Sequence, residues 1–234
     1  MVIKAIYDAW RSGQVMRHMY NELLQMLEAC EWMFATAVKV LFDGEDSAPL
    51  RDELYDTDRM VNRCERRIRK ELVEHLTLRP SGDLPAGLVL MSLIKDAERI
   101  GDYCKNVFEI RELLGEPFAG DEMVGRMREA YKRTLQRLGE TRKAIAEGDE
   151  DLARKLMGEE KAIAREIEML VREVAGSDLH ARLAVARALF LRHVKRIDAH
   201  LTNIASGVVQ PVHRIDYREK KKTVPESDEK TGGA

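Results

Sequence analysis

Aromatic residues are scarce, at 6% of the 234 residues, and β-branched alternation is nearly absent, which removes the period-two signal of half-buried strands. Cysteine is rarer still. Cys30, Cys64 and Cys104 are an odd number without C-x-x-C spacing, each beside apolar neighbours, so they are read as reduced thiols of a cytoplasmic protein. No stretch approaches the roughly 20 apolar residues that span a bilayer. Met1 to Trp10 lacks a charged region followed by an apolar run, so neither membrane insertion nor export is expected. An excess of one charge is missing too: 39 basic residues face 41 acidic ones, a net charge of -2. Nothing therefore draws the chain wholesale to nucleic acid or an anionic membrane, and any partner must be recognised locally. Glycine-rich phosphate loops, nucleophile elbows and HExxH are absent. None of the six histidines, His18, His75, His180, His193, His200 and His213, lies three residues after a glutamate, so the Glu-x-x-His pairs of ferritin-like di-iron oxidases are missing.

What is present is helix. With 44% hydrophobic and 34% charged residues, the chain can bury a core, and its apolar residues recur at three- and four-residue spacing. Turn residues cluster at 43–49, 79–85, 115–117, 148–149 and 176–178. Five breaks give six helices, at about 14–43, 50–78, 84–114, 120–147, 149–175 and 178–210, after a short amphipathic lead-in at 2–12. Ser177 and Asp178 are expected to cap the last of them. Met16, Met19, Met26 and Met33 repeat at core-like spacing in the first helix, although an adaptable partner surface would use the same residues. From about Arg214 the chain is charged and almost free of apolar residues, and is expected to be a disordered tail over 214–234.

The third and sixth helices match at an offset of 97 residues: Arg99 with Arg196, Ile100 with Ile197, Asn106 with Asn203. A duplicated three-helix unit follows. The expected fold is all-α, six long helices as two tandem three-helix bundles, over 1–116 and 117–213. The sixth helix carries the seam Phe190, Val194, Ile197, Leu201, Ile204 and Val208, spaced for shallow helix crossing.

In the third helix Glu98, Asp102 and Asn106 stack at i, i+4 and i+8, on one face. Gly101 between them costs about 1 kcal/mol relative to alanine, which suggests a close approach of a helix or ligand. The second helix has the seam Leu54, Asp58, Val61, Glu65, Ile68, Leu72, with Asn62 one turn from Asp58. Two carboxylates thus stand where the pattern demands apolar residues. Inside a bundle they are costly unless paired or metal-bound, and an all-oxygen set suits Mg²⁺, Mn²⁺ or iron. A metal site of Asp58, Asn62, Glu65, Glu98, Asp102 and Asn106 is one reading. The other is a solvated acidic face paired with arginines such as Arg66 and Arg99. An offset of 102 between the second and fifth helices sets Asp58, Asn62 and Glu65 against Glu160, Ala164 and Ile167; in the sixth helix Glu98 and Asp102 become Lys195 and Ala199. The second copy looks dismantled, although His200, beside one lost acid, could take a metal.

The run Glu98-Arg99-Ile100-Gly101-Asp102 with Asn106 resembles the acidic motif of the PhoU family, and the resemblance extends over about 14–213. It implies tandem three-helix bundles and a negative regulator of the phosphate-starvation response that links a phosphate transporter ATPase to a membrane sensor kinase. It also implies an iron or zinc cluster, with Asp58, Glu98, Asp102 and Asn106 as ligands. The expectation is a non-enzymatic regulator of phosphate transport acting by protein contact. Its divalent or iron-type metal, one ion or a small multinuclear cluster, sits in the first bundle only. Such a protein is cytoplasmic, or peripheral to the inner face of the membrane through its partner, and a homodimer is open to it. Two further functions stand beside this one: a metal-dependent hydrolase using the same acids, and a structural helical adaptor or partner of a sodium–phosphate cotransporter.

Overall fold

The computed structural model describes residues 13–78 and 83–215. The lead-in expected at 2–12 lies outside the described residues, as does the tail beyond Ile215. Helix α1 spans Gln14–Val38 and runs on through a π turn, Lys39–Asp43, to Gly44 at φ 75°. Helix α2 is Ala48–Leu78, α3 Leu84–Leu114, α4 Glu122–Glu147, α5 Glu150–Ala175 and α6 Ala181–Val209. No strand occurs among the described residues, as the missing alternation required.

The ends are set by local chemistry. Asp121 and Asp149 accept from the amides of Val124 and Leu152, at 2.8 and 2.9 Å, and so cap α4 and α5. Gly115 and Gly148 close α3 and α4 with left-handed φ of 79° and 66°. One expected cap is corrected. Helix α6 begins at Ala181, with the His180 ring accepting from the amide of Arg182 at 3.4 Å. Ser177 instead turns back, its hydroxyl donating to the Val174 carbonyl at 2.7 Å, and so finishes α5.

The first three helices pack on one another, and so do the last three; the halves meet where α1 lies on α4 and α3 on α6. Both meetings are antiparallel. Leu93 lies against Gly207, Asp96 against His200 and Asn203, and Tyr103 against Arg196. On the other side Glu31 pairs with Arg142 at 3.2 Å, and Arg128 reaches Asp43 and the Phe42 carbonyl at 2.6 Å each. Helices α1, α3, α6 and α4 therefore form a central ring, with α2 and α5 on its two flanks. A single apolar cluster runs through all six helices. The seams read from sequence are inside it: Leu93, Ala97, Ile100, Cys104 and Val107 of α3, and Phe190 to Val208 of α6. Met16, Met19, Met26 and Met33 are fully buried, which makes them core and removes them as an exposed partner surface.

Gly101 is not the tightest spot. A Cβ there would stand 3.5 Å from Val61 and 3.7 Å from Cys30, ordinary contact between α3 and its neighbours. Gly207 is the tight one, because a Cβ would fall 2.7 Å from a Leu93 methyl at the α3–α6 crossing. Gly207→Ala is thus expected to destabilise by about 1–3 kcal/mol. Gly101→Ala should be neutral or up to about 1 kcal/mol more stable, through its helix propensity. Urea denaturation of the two variants checks the contrast.

Candidate functional site

On α2 the seam residues Leu54, Val61, Ile68 and Leu72 are buried, and so are Asp58 and Glu65, each 7% exposed. The buried position of both acids rules out a freely solvated face for them. Helix α3 faces them with Glu98, Asp102 and Asn106, and with two lysines one turn to either side. Lys105 Nζ donates to Asp58 Oδ2 at 2.9 Å and stands 3.6 Å from Asp102 Oδ1. Asn62 donates to the Asp58 carbonyl at 3.1 Å and, more weakly, to its carboxylate at 3.4 Å. Further along the helices, Lys95 Nζ donates to Glu98 Oε2 at 2.7 Å and lies 3.8 Å from Glu65 Oε1, which Arg69 also approaches at 2.8 Å. Arg99 reaches Glu98 and Asp102 at 3.8 and 3.4 Å from an exposed position.

The six residues singled out from the sequence thus share one helix interface, in two groups. Asp58, Asn62 and Asp102 gather about Lys105, and Glu65 and Glu98 gather about Lys95. Asn106 is half-buried one turn past Asp102. No three of the four carboxylates bring their oxygens within 4.8 Å of one another. Four carboxylates and two amides are a hard-cation donor set, and their burial suits one. The ammonium groups of Lys95 and Lys105 hold the positive charge between the two helices.

The local field shows in the neighbouring groups. Burial, and then the charges of Asp58, Asp102 and Glu98, push the Cys30 thiol well above its ordinary range; Cys104 is raised chiefly by burial. Both stay protonated and serve as packing. Burial opposes the charge of Lys105, but its hydrogen bond to Asp58 and the fields of Asp58, Asp102 and Glu109 outweigh it and raise its pKa. At the far end of the interface the Tyr55 hydroxyl donates to Glu109 at 2.6 Å, a bond that with burial pushes the phenol up to about 12.

The second half answers with a different charge. Asp198 stands in α6 at the place that Gly101 holds in α3, 2% exposed, and Arg137 from α4 reaches it as Cys30 from α1 reaches Gly101. Arg137, itself 3% exposed, donates to Asp198 at 2.5 Å, to the Leu156 carbonyl and Glu159 at 3.0 Å each, and to Thr202 at 3.2 Å. Glu160, the counterpart of Asp58, remains buried. Sequence reading missed Arg137, although it breaks an apolar helix seam as Asp58 does. It missed Asp96 as well. Asp96 is buried on α3 and accepts from Asn203 at 3.2 Å, with the His200 Nδ1 2.5 Å away, while the His200 ring stacks on Tyr103. His200 is therefore a bridge between the halves.

Residues 23–110 match the family model described as PhoU domain. Over 204 residues the chain is 28% identical to the phosphate-specific transport system accessory protein PhoU homolog of Pseudomonas aeruginosa, covering 85% of this chain and 84% of that one. Its fold superposes on the crystal structure of PhoU from Pseudomonas aeruginosa with a TM-score of 0.76 and 26% identity, over 86% of this chain and 97% of that one. The phosphate transport system regulatory protein PhoU of Streptococcus pneumoniae, 18% identical, shares the fold at a TM-score of 0.73, over 82% and 92% of the two chains.

Removing one partner of a buried ion pair strands the other. Arg137→Met is expected to cost about 3–5 kcal/mol, and Arg137→Met with Asp198→Leu to recover most of that loss. A double-mutant cycle in urea measures both.

Proposed function

Because the chain belongs to the PhoU family, we propose that it is an accessory protein of phosphate uptake. It modulates a phosphate transporter and phosphate-starvation signalling by contact with other proteins and not by catalysis. The reading rests on the α2–α3 interface, where Asp58 and Glu65 are buried in a seam that packing alone would have filled with apolar residues. A carboxylate in that position is kept for what it binds, since apolar replacements of the same size are often neutral or stabilising.

Asp58, Asn62, Glu65, Glu98, Asp102 and Asn106 would hold a divalent or iron-type cation, which when bound cross-links α2 to α3. Lys95 and Lys105 are partly exposed, so their ammonium groups can swing outward while the oxygens stay in place. The chain's own residues set the crossing of α2 on α3 in either case. That crossing shapes the outer face of α2, which is the docking surface for a transporter ATPase or sensor kinase and couples metal occupancy to partner affinity. No helix among the described residues is long and apolar enough to cross a membrane. The protein works in the cytoplasm, held at the inner face of the membrane by its partner, and a homodimer is compatible with this role.

The experiment pairs two measurements on the untagged chain purified without chelator. Plasma mass spectrometry is expected to find metal that is lost in Asp102→Ala. Co-purification with the transporter ATPase should depend on phosphate and weaken in the same variant. Partner binding indifferent to Asp102→Ala would overturn the metal coupling and favour a structural adaptor. Turnover of a phosphoester, abolished in Asp102→Ala, would favour a hydrolase.

A further inference from the structure

A second cluster lies on a different face of the first half, between α1 and α2. His18 and Glu22, one turn apart on α1, meet Glu71 of α2, and one ligand atom from each falls within 4.8 Å of the others. Among the described residues this is the one place where three such side chains converge. Glu22 is the deep member, 4% exposed. Its Oε1 pairs with the Arg67 guanidinium and stands 3.6 Å from His18 Nε2. Its Oε2 is buried without a hydrogen-bond partner.

An unsatisfied buried carboxylate oxygen is costly, so a native structure that retains one implies something that comes to it. The opening is there. The His18 side chain is 62% exposed and Glu71 is half-buried. An open groove of about 490 Å³ beside them is lined by Gln14, Val15, Arg17, His18, Asn21 and Glu71. His18 and Glu71 thus stand as two donors at the groove, with the buried Glu22 beside them.

One imidazole nitrogen and two carboxylate oxygens are the donors of three-ligand divalent sites that keep a fourth position open. The nitrogen matters, because an all-oxygen set would suit calcium or magnesium, whereas imidazole moves the preference toward zinc and its neighbours. We propose that His18, Glu22 and Glu71 form a zinc-type divalent-cation site whose open coordination position faces the α1–α2 groove. Arg67 holds Oε1 of Glu22, the oxygen that faces His18, and so competes with the cation for it, while Oε2 has no hydrogen-bond partner. The Arg67 side chain is half exposed and acts as a competitor rather than a ligand. This site shares no residue with the α2–α3 acids and stands whether or not they bind metal.

The test titrates zinc chloride into the full chain stripped of metal, followed by calorimetry. One equivalent is expected to remain in Asp58→Asn/Asp102→Asn. His18→Ala and Glu71→Gln, at exposed and half-buried positions that leave the core intact, should each weaken that equivalent by at least about tenfold, the loss that even outer-shell partners produce. Arg67→Met should strengthen it by removing the competing cation. Circular-dichroism melts confirm that each variant is folded. Zinc binding unchanged in both His18→Ala and Glu71→Gln would overturn the site. So would zinc binding that vanishes in folded Asp58→Asn/Asp102→Asn.

Discussion

The antiparallel crossing of α3 on α6 is the contact on which the molecule depends. A three-helix unit of this size leaves part of its apolar surface unpaired, and the two units close over it in one shared core in which Leu93 packs on Gly207 of the other half. Gly207 lets the backbones approach by giving Leu93 a place to sit. The polar bridge of Asp96 with His200 and Asn203 then fixes the register, because a slip would strand a buried carboxylate. With α1 and α4 also antiparallel, the halves are related by a pseudo-twofold axis, the symmetry expected of a duplicated unit joined to itself.

That arrangement decides where charge can be tolerated. The central ring α1, α3, α6 and α4 holds most of the apolar core, whereas α2 and α5 pack mainly on their own half and keep one side toward solvent. Buried acids occur on the flanks, with Asp58 and Glu65 on α2 and Glu160 on α5, and also in the ring, with Glu22 on α1, Asp96 on α3 and Asp198 on α6. In the first half Asp58 and Glu65 are answered by the flexible ammonium groups of Lys95 and Lys105 from α3, and in the second Asp198 is answered by the guanidinium of Arg137, held by four hydrogen bonds. A forked, buried guanidinium with four hydrogen bonds is held in place, whereas an ammonium on a partly exposed stem can be displaced. The same duplicated frame thus carries a buried guanidinium on one side and two partly exposed ammonium groups on the other.

Much of this was legible in the residues. Apolar spacing located six helices, and a match at an offset of 97 revealed the duplication. The seam of α2 by itself places Asp58 and Glu65 inside. The misses share a cause. Arg137 and Asp198 lie 61 positions apart, and Asp96 meets His200 across 104; no local pattern links them. Ser177 was read forward as a cap, though its hydroxyl had an equally good acceptor behind it in Val174. His18, Glu22 and Glu71 come together only because α1 and α2 pack at one particular rotation.

Sequence by itself determined the helices, their inward faces and which inward positions carry charge, since periodicity is a property of consecutive residues. Tertiary structure alone decided which counter-ion each buried charge meets. That choice depends on which helices become neighbours and on how far a lysine, arginine or histidine side chain reaches between them.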